Sequence, residues 1–372
     1  MKILILNWRD IKNPKSGGAE IVTMEHAKFW IKKGHQVTWF TSRFKGSKDK
    51  EKLERVNIVR RGNFITVYLL APFFYFFSGY KFDLVIDQIH GLPFFTPLYV
   101  RKPKLVLIHE VAREIWDYMF PFPVNRIGKF IEPLYFKLYK NIQFWTDADS
   151  TIDDLVKMGI KKKNCIAINC PINNKVLNKL PEKEKNPTFI FVSRVVKMKG
   201  IDEVVRAFSY ILEDLKDAKL WIVGDGDKKY VNELKETMKS YSISTKVKFF
   251  GKVDDNKKLE LMQKAHLLLH ASVKEGWGLV VIEAASQGTP SVVYNVSGLK
   301  DSVINGETGI VIAKNTPSEM GERAIELLNS KEKYVRFQKN GLEWAKSLTW
   351  EKATKQSEAL LNEVLRSKNE VE

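Results

Sequence analysis

The sequence has too few cysteines for a disulfide-stabilised or zinc-bound fold. Among its 372 residues only Cys165 and Cys170 are cysteines, and their C-x4-C spacing differs from the redox motif C-x-x-C. Two thiols cannot form a disulfide framework or a four-ligand zinc site. We therefore expect both thiols to be reduced and the protein to be cytoplasmic.

Long hydrophobic runs are also missing. Only four consecutive apolar residues follow Lys2, too few for a signal peptide. The longest apolar stretch, Phe64 to Tyr80, is interrupted by Pro72 and Gly79 and is shorter than the ~20 residues that a membrane-spanning helix needs. An aromatic cluster lies at residues 73–77, and such clusters belong to a protein core more often than to a membrane-binding surface.

Dinucleotide and metal-binding motifs are absent where they would be expected. The loop Asn13-Pro-Lys-Ser-Gly17-Gly18-Ala-Glu20 follows the first predicted strand but lacks the G-x-G-x-x-G spacing. The H-E-x-x-H motif does not occur, and Asp147-Ala-Asp149 fits the cap of a following helix better than a metal site. We expect neither a metal ion nor another cofactor.

Acidic residues are outnumbered, and the net charge is +17. Residues 1–172 hold 28 Lys and Arg against 16 Asp and Glu, a net charge of +12, and the remainder holds 33 against 28, a net charge of +5. This bias favours nucleic acid, a phosphorylated substrate or an anionic membrane surface as partner. The alternative is a charged surface that serves only solubility or thermal stability. No nucleic-acid-binding module is recognisable, so we expect no nucleic-acid partner.

The order of apolar patterns predicts two domains. Short apolar runs alternate with helical patterns up to about residue 168, a polar stretch at 171–187 follows, and the alternation then restarts. A charged loop is predicted at Arg43–Glu54. This alternation predicts an α/β protein with two doubly wound parallel sheets and a cleft between the domains. We expect an N-terminal domain at 1–170, a C-terminal domain at 171–351, and a last helix at about 352–372 that packs back on the first domain.

One stretch in the second half combines a strand, a glycine turn and a helix. Ala265–His270 predicts a buried strand, two glycines interrupt the pattern, and Leu279–Gln287 predicts a helix. Such a unit directs backbone N–H groups at an anion. Glu275 at the turn and Glu283 inside the helix could accept hydrogen bonds from hydroxyl groups. From spacing alone, two unrelated glutamates around an ordinary strand–helix connection explain the pattern equally well.

Basic residues and histidines follow other predicted strands. Arg194 and Lys199 come after the predicted strand at 188–192, where a guanidinium and an ammonium group would suit a diphosphate. The alternative is an ordinary solvated charge cluster. His90 and His109 end strands of the first half, and an isolated histidine is more often structural than catalytic.

The string Glu275-Gly-Trp-Gly-Leu-x-x-Ile-Glu283 resembles the nucleotide-sugar signature of retaining family-four glycosyltransferases with the GT-B fold, in which two Rossmann-like domains face each other across a cleft. The resemblance extends to the Gly17-Gly18-Ala-Glu20 loop, to the segment with Arg194 and Lys199, and to the final helix. The chain departs from the family at Asn169–Asn173, where N-G-V-D is usual at the domain junction.

The resemblance implies roles for individual residues. His109 would lie beside the donor sugar and support the reaction, and Glu275 would orient that sugar. Glu20 and His90 would lie on the acceptor side, and Gly224 and Val253 would flank the nucleotide base. The residues expected to bind the rest of the donor are Gly17, Gly18, Arg194, Lys199, Gly276, Trp277, Gly278, Leu279, Val280 and Glu283.

The resemblance also implies a reaction. A retaining, metal-independent enzyme would transfer a hexose from a GDP- or UDP-linked sugar to an acceptor hydroxyl. The acceptor would be a lipid-linked or cell-surface glycan, and the enzyme would be peripheral on the inner face of the membrane. Two alternatives remain, a nucleotide-sugar epimerase of the same architecture and a basic nucleic-acid-binding protein.

Overall fold

A computed structural model of the chain describes residues 1–369, and the contacts within it divide the chain into two units. Unit 1 consists of residues 1–170 together with a helix that begins at Trp350, and unit 2 consists of residues 171–349. Residues 370–372, which the sequence assigns to the last helix, lie outside the described part.

Unit 1 is built on an eight-stranded sheet in the order β3-β4-β2-β1-β5-β6-β7-β8, in which only the β3–β4 pair is antiparallel. This arrangement confirms the predicted α/β class. The strands are β1 (Lys2–Leu6), β2 (Gln36–Thr41), β3 (Lys50–Leu53), β4 (Val56–Arg60), β5 (Leu84–Ile89), β6 (Lys104–Ile108), β7 (Gln143–Thr146) and β8 (Cys165–Ala167).

The predicted charged loop at Arg43–Glu54 is wrong in its second part, where β3 forms. This strand lies at the edge of the sheet, and Lys50 and Lys52 point to solvent while Glu51 and Leu53 are half-buried. Charged side chains on an edge strand limit pairing with other molecules, and they also hide the apolar alternation by which strands are recognised.

Helices cover both faces of this sheet. Those in residues 1–170 are α1 (Gly18–Lys32), α2 (Thr66–Phe77), α3 (Trp116–Met119), α4 (Val124–Phe136) and α5 (Asp149–Lys157). Ile3 and Ile5 of β1 pack on one face against α1, whereas Leu4 and Leu6 point to the opposite face and pack against α2. Because the strands run through the middle of the unit, both sets of side chains are buried.

The aromatic cluster at 73–77 lies on α2, and the expectation that it belongs to the core is wrong for three of its five rings. Phe74 stacks on Phe40 with 4.6 Å between the ring centroids, but Phe73, Phe76 and Phe77 are exposed. None of the helices within residues 1–369 combines the length and hydrophobicity that crossing a bilayer requires.

Unit 2 contains a six-stranded parallel sheet in the order β11-β10-β9-β12-β13-β14. All five residues of its central strand are buried, so both faces are covered. The strands are β9 (Thr188–Val192), β10 (Lys219–Val223), β11 (Val247–Gly251), β12 (Leu267–His270), β13 (Ser291–Val293) and β14 (Gly309–Val311). The helices are α6 (Ile201–Asp214), α7 (Lys228–Ser240), α8 (Asp255–Lys264), α9 (Leu279–Ser286), α10 (Pro317–Asn329) and α11 (Lys331–Ser347).

The polar stretch at 171–187 forms neither a helix nor a strand, and it is attached to unit 2. The N–H of Leu177 donates to the carbonyl of Ser286, and the Lys183 ammonium donates to the Gly288 carbonyl and the Thr289 hydroxyl, each at 2.8 Å. Burial lowers the pKa of Lys183 to about 7. This segment is therefore a fixed part of unit 2.

The last helix, α12 (Trp350–Asn369), returns to unit 1. Leu360 and Leu361 are buried in the same cluster as the core of β1 and α1. The Ser357 hydroxyl lies 2.9 Å from Nδ1 of His26 and accepts a hydrogen bond from the Trp30 indole at 3.1 Å. This helix completes the layer that α1 begins.

Candidate active site

The predicted donor residues of unit 2 lie along one edge of its sheet. All six strands are parallel, so their carboxyl ends meet at that edge. Arg194 follows β9, Gly224 follows β10, Val253 follows β11, and Glu275 follows β12. The structure thus brings these positions together although they are far apart in the sequence.

A glycine turn connects β12 to α9. Gly278 is the residue before the helix and has a φ of +78°, a conformation that side chains other than glycine rarely adopt. The first N–H groups of α9 have no partner within the helix and point away from its N-terminus. Leu279 and Val280 are half-buried there, whereas the Trp277 side chain is buried, so Trp277 can offer only its backbone to a ligand.

The segment with Lys199 packs directly on this turn. Gly200 has a φ of +69°, and a Cβ atom there would lie 1.9 Å from the Ala271 carbonyl oxygen. The N–H of Val273 also donates to the Met198 carbonyl at 3.0 Å. Close backbone contact therefore fixes the position of Lys199 relative to the turn.

Glu275 is the centre of a polar cluster in unit 2. The Lys199 ammonium donates to both carboxylate oxygens, at 2.7 and 2.8 Å, and the Ser272 hydroxyl donates to Oε1 at 2.5 Å. Nε2 of the buried His270 lies 3.0 Å from the same oxygen. The carboxylate is thus held in one orientation at the mouth of the turn.

This cluster keeps Glu275 ionised. Burial alone raises the pKa of the carboxyl group, but the Lys199 charge and the hydrogen bond from His270 outweigh burial and hold the pKa well below its ordinary value. The group therefore acts as a hydrogen-bond acceptor at neutral pH and cannot serve as a proton donor.

Arg194 presents a free cation at the same edge. Its side chain is exposed and makes no hydrogen bond or ion pair with any of residues 1–369. The nearby Lys197 ammonium lies over the Tyr230 ring, 5.9 Å from its centroid. Arg194 and Lys199 are therefore placed to meet an anion here.

Glu283 lies on α9 and is paired with a residue that the sequence analysis does not identify. Lys258 of α8 donates to its carboxylate at 2.8 Å, and both side chains are about one-fifth exposed. Burial raises the pKa of Glu283 while the Lys258 charge opposes that rise. The structure does not bring Glu283 into the Glu275 cluster, because within residues 1–369 the two carboxylates share no hydrogen-bond or ion-pair partner.

Gly224 and Val253, the two positions expected to flank the base, can offer a ligand mainly backbone groups. The N–H of Gly224 donates to the Gly251 carbonyl at 2.8 Å, and Val253 is partly buried against the core of unit 2. Neither carries a side chain that could distinguish one base from another by hydrogen bonding.

In unit 1, His109 is held by a chain of buried polar groups. Its Nδ1 lies 2.5 Å from the Asp147 carboxylate, and its Nε2 lies 3.0 Å from the Gln88 amide. The Thr23 hydroxyl of α1 donates to the Gln88 carbonyl oxygen at 3.1 Å. Burial lowers the pKa of His109, but the charge and hydrogen bond of Asp147 outweigh burial, so the pKa lies above its ordinary value.

The assignment of Asp147 to a helix cap is wrong. The helix α5 begins at Asp149 with Ala148 as the residue before it, and no side chain caps it. The Asp147 carboxylate instead contacts the His109 ring. The residue that this carboxylate contacts is 38 positions away in the sequence, so local spacing could not reveal the role of Asp147.

The Gly17-Gly18 loop is closed by Glu20. The buried Glu20 carboxylate accepts hydrogen bonds from the Gly17 N–H and from Arg9, each at 2.8 Å. Gly17 is exposed, and open space surrounds the position that a Cβ atom would take. A ligand can approach this backbone closely, but the Gly17 N–H itself is already bonded. Glu20 therefore orients the loop, and its buried carboxylate is not exposed to an acceptor.

His90 lies beside His109, with 5.6 Å between the ring centroids. Its Nε2 is 3.4 Å from a Glu20 oxygen without forming a hydrogen bond. Burial, followed by the nearby Arg9 charge, lowers the pKa of His90 well below its ordinary value. This ring is therefore neutral at physiological pH.

Several polar residues of these clusters were missed by sequence reasoning. Ser272, His270 and Gln88 lie at or just beyond the ends of parallel strands, and that position is a signal that could have found them. Lys258 has no such signal, since it lies on a separate helix. Within residues 1–369 no three His, Cys, Asp or Glu side chains converge as a metal site would require.

Two protein-family models together match most of the chain. The model of the family described as glycosyl transferases group 1 matches residues 173–344, and the model described as glycosyltransferase family 4 matches residues 16–175. The two matches correspond closely to the two units.

Individual relatives agree with these matches. N-acetyl-alpha-D-glucosaminyl L-malate synthase of Bacillus anthracis is 31% identical over 49% of this chain and 47% of its own length. An uncharacterized glycosyltransferase of Haemophilus influenzae is 27% identical over 87% of this chain and 90% of its own length. In the first four curated relatives, the matched segment spans less than half of the relative's length.

Solved structures share the fold of the chain. Sucrose-phosphate synthase from Thermosynechococcus elongatus is 18% identical, with a TM-score of 0.80 over 98% of this chain and 99% of that one. Anabaena HepE in complex with UDP-glucose is 18% identical, with a TM-score of 0.73 over 98% of this chain and 100% of that one. The chain belongs to the family-four, group 1 glycosyltransferases with the GT-B fold.

Proposed function

We propose that this glycosyltransferase moves a hexose from a nucleoside diphosphate sugar to an acceptor hydroxyl, with retention of configuration and without a metal ion. The observation that carries the proposal is the Lys199–Glu275 pair at the same sheet edge as the unpaired Arg194 guanidinium. Two cations match a diphosphate, and an ionised carboxylate matches the hydroxyl groups of a sugar.

Lys199 can bind phosphate without leaving Glu275. An ammonium group has three N–H donors, and Glu275 takes two of them. The third can reach a phosphate oxygen, while Arg194 offers a planar pair of donors to another. These two charges would stabilise the leaving diphosphate, the task that a metal ion performs in other enzymes.

The transfer would proceed on one face of the sugar. The bond between C1 and the diphosphate oxygen breaks with its electron pair on that oxygen, and the acceptor oxygen bonds to C1 from the same side. The acceptor proton passes to the leaving phosphate. Glu275 stays ionised throughout and orients the sugar through its hydroxyl groups.

The donor would be UDP- or GDP-linked. Glu283, which Lys258 holds in place, can accept hydrogen bonds from the two ribose hydroxyls. A UDP-glucose complex of Anabaena HepE, which has the same fold, makes UDP-glucose the first donor to test. His109, whose ring contacts Asp147, would support the reaction.

The acceptor would be a lipid-linked or cell-surface glycan, and the enzyme would act in the cytoplasm at the inner face of a membrane. The +12 charge of residues 1–172 supports this proposal, since it would attract a protein toward anionic lipid.

A donor screen followed by product analysis tests the proposal. Thermal shift is measured with UDP, GDP, ADP and their sugars, and the product formed with an acceptor extract is assigned as α or β by NMR. Stabilisation by one nucleoside diphosphate and a product with the donor's configuration are expected. An epimerised sugar formed from donor alone, inversion, or stabilisation by a competing nucleic acid but by no nucleotide would overturn it.

A further inference from the structure

The helices α2 and α4 form one layer on unit 1. The strands beneath them point alternate side chains to this face, Val85 under α2 and Val106 under α4. The ring of Tyr68 on α2 lies 4.6 Å from that of Phe94, and the next residue, Phe95, contacts Tyr135 of α4 at 6.5 Å. The two helices are therefore neighbours on the same side of the sheet.

The outward sides of both helices are apolar. On each helix the exposed residues recur at helical spacing, and the most exposed are Phe77 at 80% and Phe130 at 71%. Surface helices normally turn polar residues to this side, and a contiguous exposed apolar area marks an interaction site. The residues are Leu69, Phe73, Phe76 and Phe77 on α2, and Ile127, Phe130, Ile131 and Leu134 on α4.

The exposed charges on these two helices and on the turn after α4 are basic, whereas the exposed Asp117 of α3 is paired with Lys129 of α4. Helix α2 contains no charged residue, and the only acid of α4, Glu132, is buried. The exposed charges on α4 and the turn after it are Arg126, Lys137 and Lys140. A second copy of this surface would bring like charges together, whereas an anionic partner would be complementary to it.

We infer that the outward side of α2 and α4, the apolar surface, docks on a lipid bilayer that contains anionic lipid. The exposed rings and aliphatic side chains enter the boundary between headgroups and acyl chains. The basic residues at the end of α4 contact the anionic headgroups. Docking does not depend on the transfer reaction. The apolar surface is the part of the enzyme that would contact a membrane.

The apolar surface is tied to the loops that carry the histidines of unit 1. The Tyr135 hydroxyl of α4 donates to the carbonyl of Gly91, the residue after His90, at 2.6 Å. The Glu132 carboxylate accepts the N–H groups of Ala112 and Arg113, which follow His109 closely, at 2.7 and 2.8 Å. A helix docked on lipid would thus hold His90 and His109 near the bilayer, where a lipid-linked acceptor is presented. This last step rests on the proposed function.

Vesicle flotation of the 372-residue protein without donor tests the docking. Phosphatidylcholine vesicles are compared with vesicles that also contain phosphatidylglycerol, at low and high salt. We expect binding to the anionic vesicles, weaker binding to the neutral ones, and weaker binding at high salt. The absence of binding to anionic vesicles at low salt would overturn the inference.

Substitutions on α2 and α4 test whether the apolar surface is the part of the protein that binds the vesicles. Replacing Phe77 and Phe130 together by Ser is expected to lower the vesicle partition coefficient by about tenfold or more, because both rings are already exposed in the folded protein. Lys137→Gln and Lys140→Gln are expected to lower it by about fivefold per charge. The matched control, Tyr210→Ser with Tyr241→Ser, replaces two exposed rings of unit 2 and is expected to change nothing.

The same variants separate docking from catalysis. Transfer to a water-soluble acceptor and the melting temperature are expected to remain at wild-type values in the Phe77/Phe130 variant. Vesicle binding of that variant equal to wild type would overturn the inference. A dimer detected by ultracentrifugation that the variant dissociates would also overturn it, since the apolar surface would then bind a second copy.

Discussion

Glu275 illustrates how a single carboxylate depends on partners whose pairing with it is not revealed by local spacing. Lys199 and Ser272 donate to it, and His270 lies against it from within the sheet. Removing the charge should leave Lys199 free for the diphosphate but should remove the group that orients the sugar.

We expect Glu275→Gln to lower kcat by about 10²–10³-fold, the size of effect seen when one electrostatic contact to a reacting group is lost. Affinity for the free nucleoside diphosphate should stay within a few-fold of wild type. Initial rates with the identified donor, together with calorimetric titration of the nucleotide, check this. Glu307→Gln replaces an exposed carboxylate elsewhere in unit 2 and is the control. Turnover of the Glu275 variant close to wild type would contradict the assignment.

His109 makes stability depend on pH. Its pKa in the folded state lies above its ordinary value, so the stabilisation is fully present below the unfolded-state pKa of about 6.5 and is lost as pH rises through the folded-state pKa. The buried His26 has the opposite effect on the pH dependence of stability, because burial lowers its pKa to about 3.

Urea unfolding at several pH values above 6 should therefore show wild-type stability falling with pH more steeply than that of His109→Gln. Asp147→Asn should flatten the profile in the same way, because it removes the charge that raises the pKa. Equal slopes in the three proteins would contradict this account of the pair.

The sequence predicted where charged residues end strands, but it could not predict which of them pair. Arg194, Lys199 and Glu275 were found because each follows an apolar run, and the structure places all three at one sheet edge. The pairing of Glu283 with Lys258 depends on how α8 packs beside α9. Such packing is a tertiary property that no local pattern encodes.

Among the elements, the turn after β12 depends on the start of α6. Gly200 and Gly251 both have a φ of +69°, but a Cβ atom at Gly200 would meet the Ala271 carbonyl, whereas Gly251 has open space. Alanine substitutions at the two glycines therefore distinguish the cost of the left-handed backbone conformation from the cost of close packing.

Alanine at either glycine should cost about 1 kcal/mol from the left-handed conformation. We expect Gly200→Ala to cost about 1–3 kcal/mol more and to weaken nucleotide binding, because the segment that carries Lys199 must move away from the turn. Denaturant unfolding and nucleotide titration of both variants check this. Equal effects in the two variants would contradict the packing argument.

Elements with a strong apolar period were predicted well, and elements at the edge were not. Strands β9 and β12 and helix α9 lie close to their predicted positions, whereas β3 was predicted as loop because its outward residues are lysines. The exposure of Phe73, Phe76 and Phe77 was also not foreseen, since apolar residues outside a core break the rule by which cores are recognised.

At the scale of the whole molecule, unit 1 is completed by the end of the chain. Leu361 on α12 is fully buried in the cluster that contains Ile3 and Trp145, and the neighbouring Asn362 is exposed. A cavity at Leu361 should therefore weaken unit 1 selectively.

We expect Leu361→Ala to lower the free energy of unfolding of unit 1 by about 2–5 kcal/mol, the usual cost of such a cavity. Hydrogen exchange should accelerate in β1, β2 and α1 but not in the sheet of unit 2. Asn362→Ala, on the exposed side of the same helix, should change neither. Faster exchange spread evenly over both units would contradict the division into units.

Because α12 follows unit 2 in the chain, the order of synthesis differs from the order of assembly. The ribosome releases residues 1–170 first, but the face formed by Ile3, Trp30 and Trp145 stays uncovered until all of unit 2 has been translated. The nascent chain therefore exposes this apolar face while residues 171–349 are synthesised, and a chaperone that shields the face would be needed earlier than one that assists unit 2.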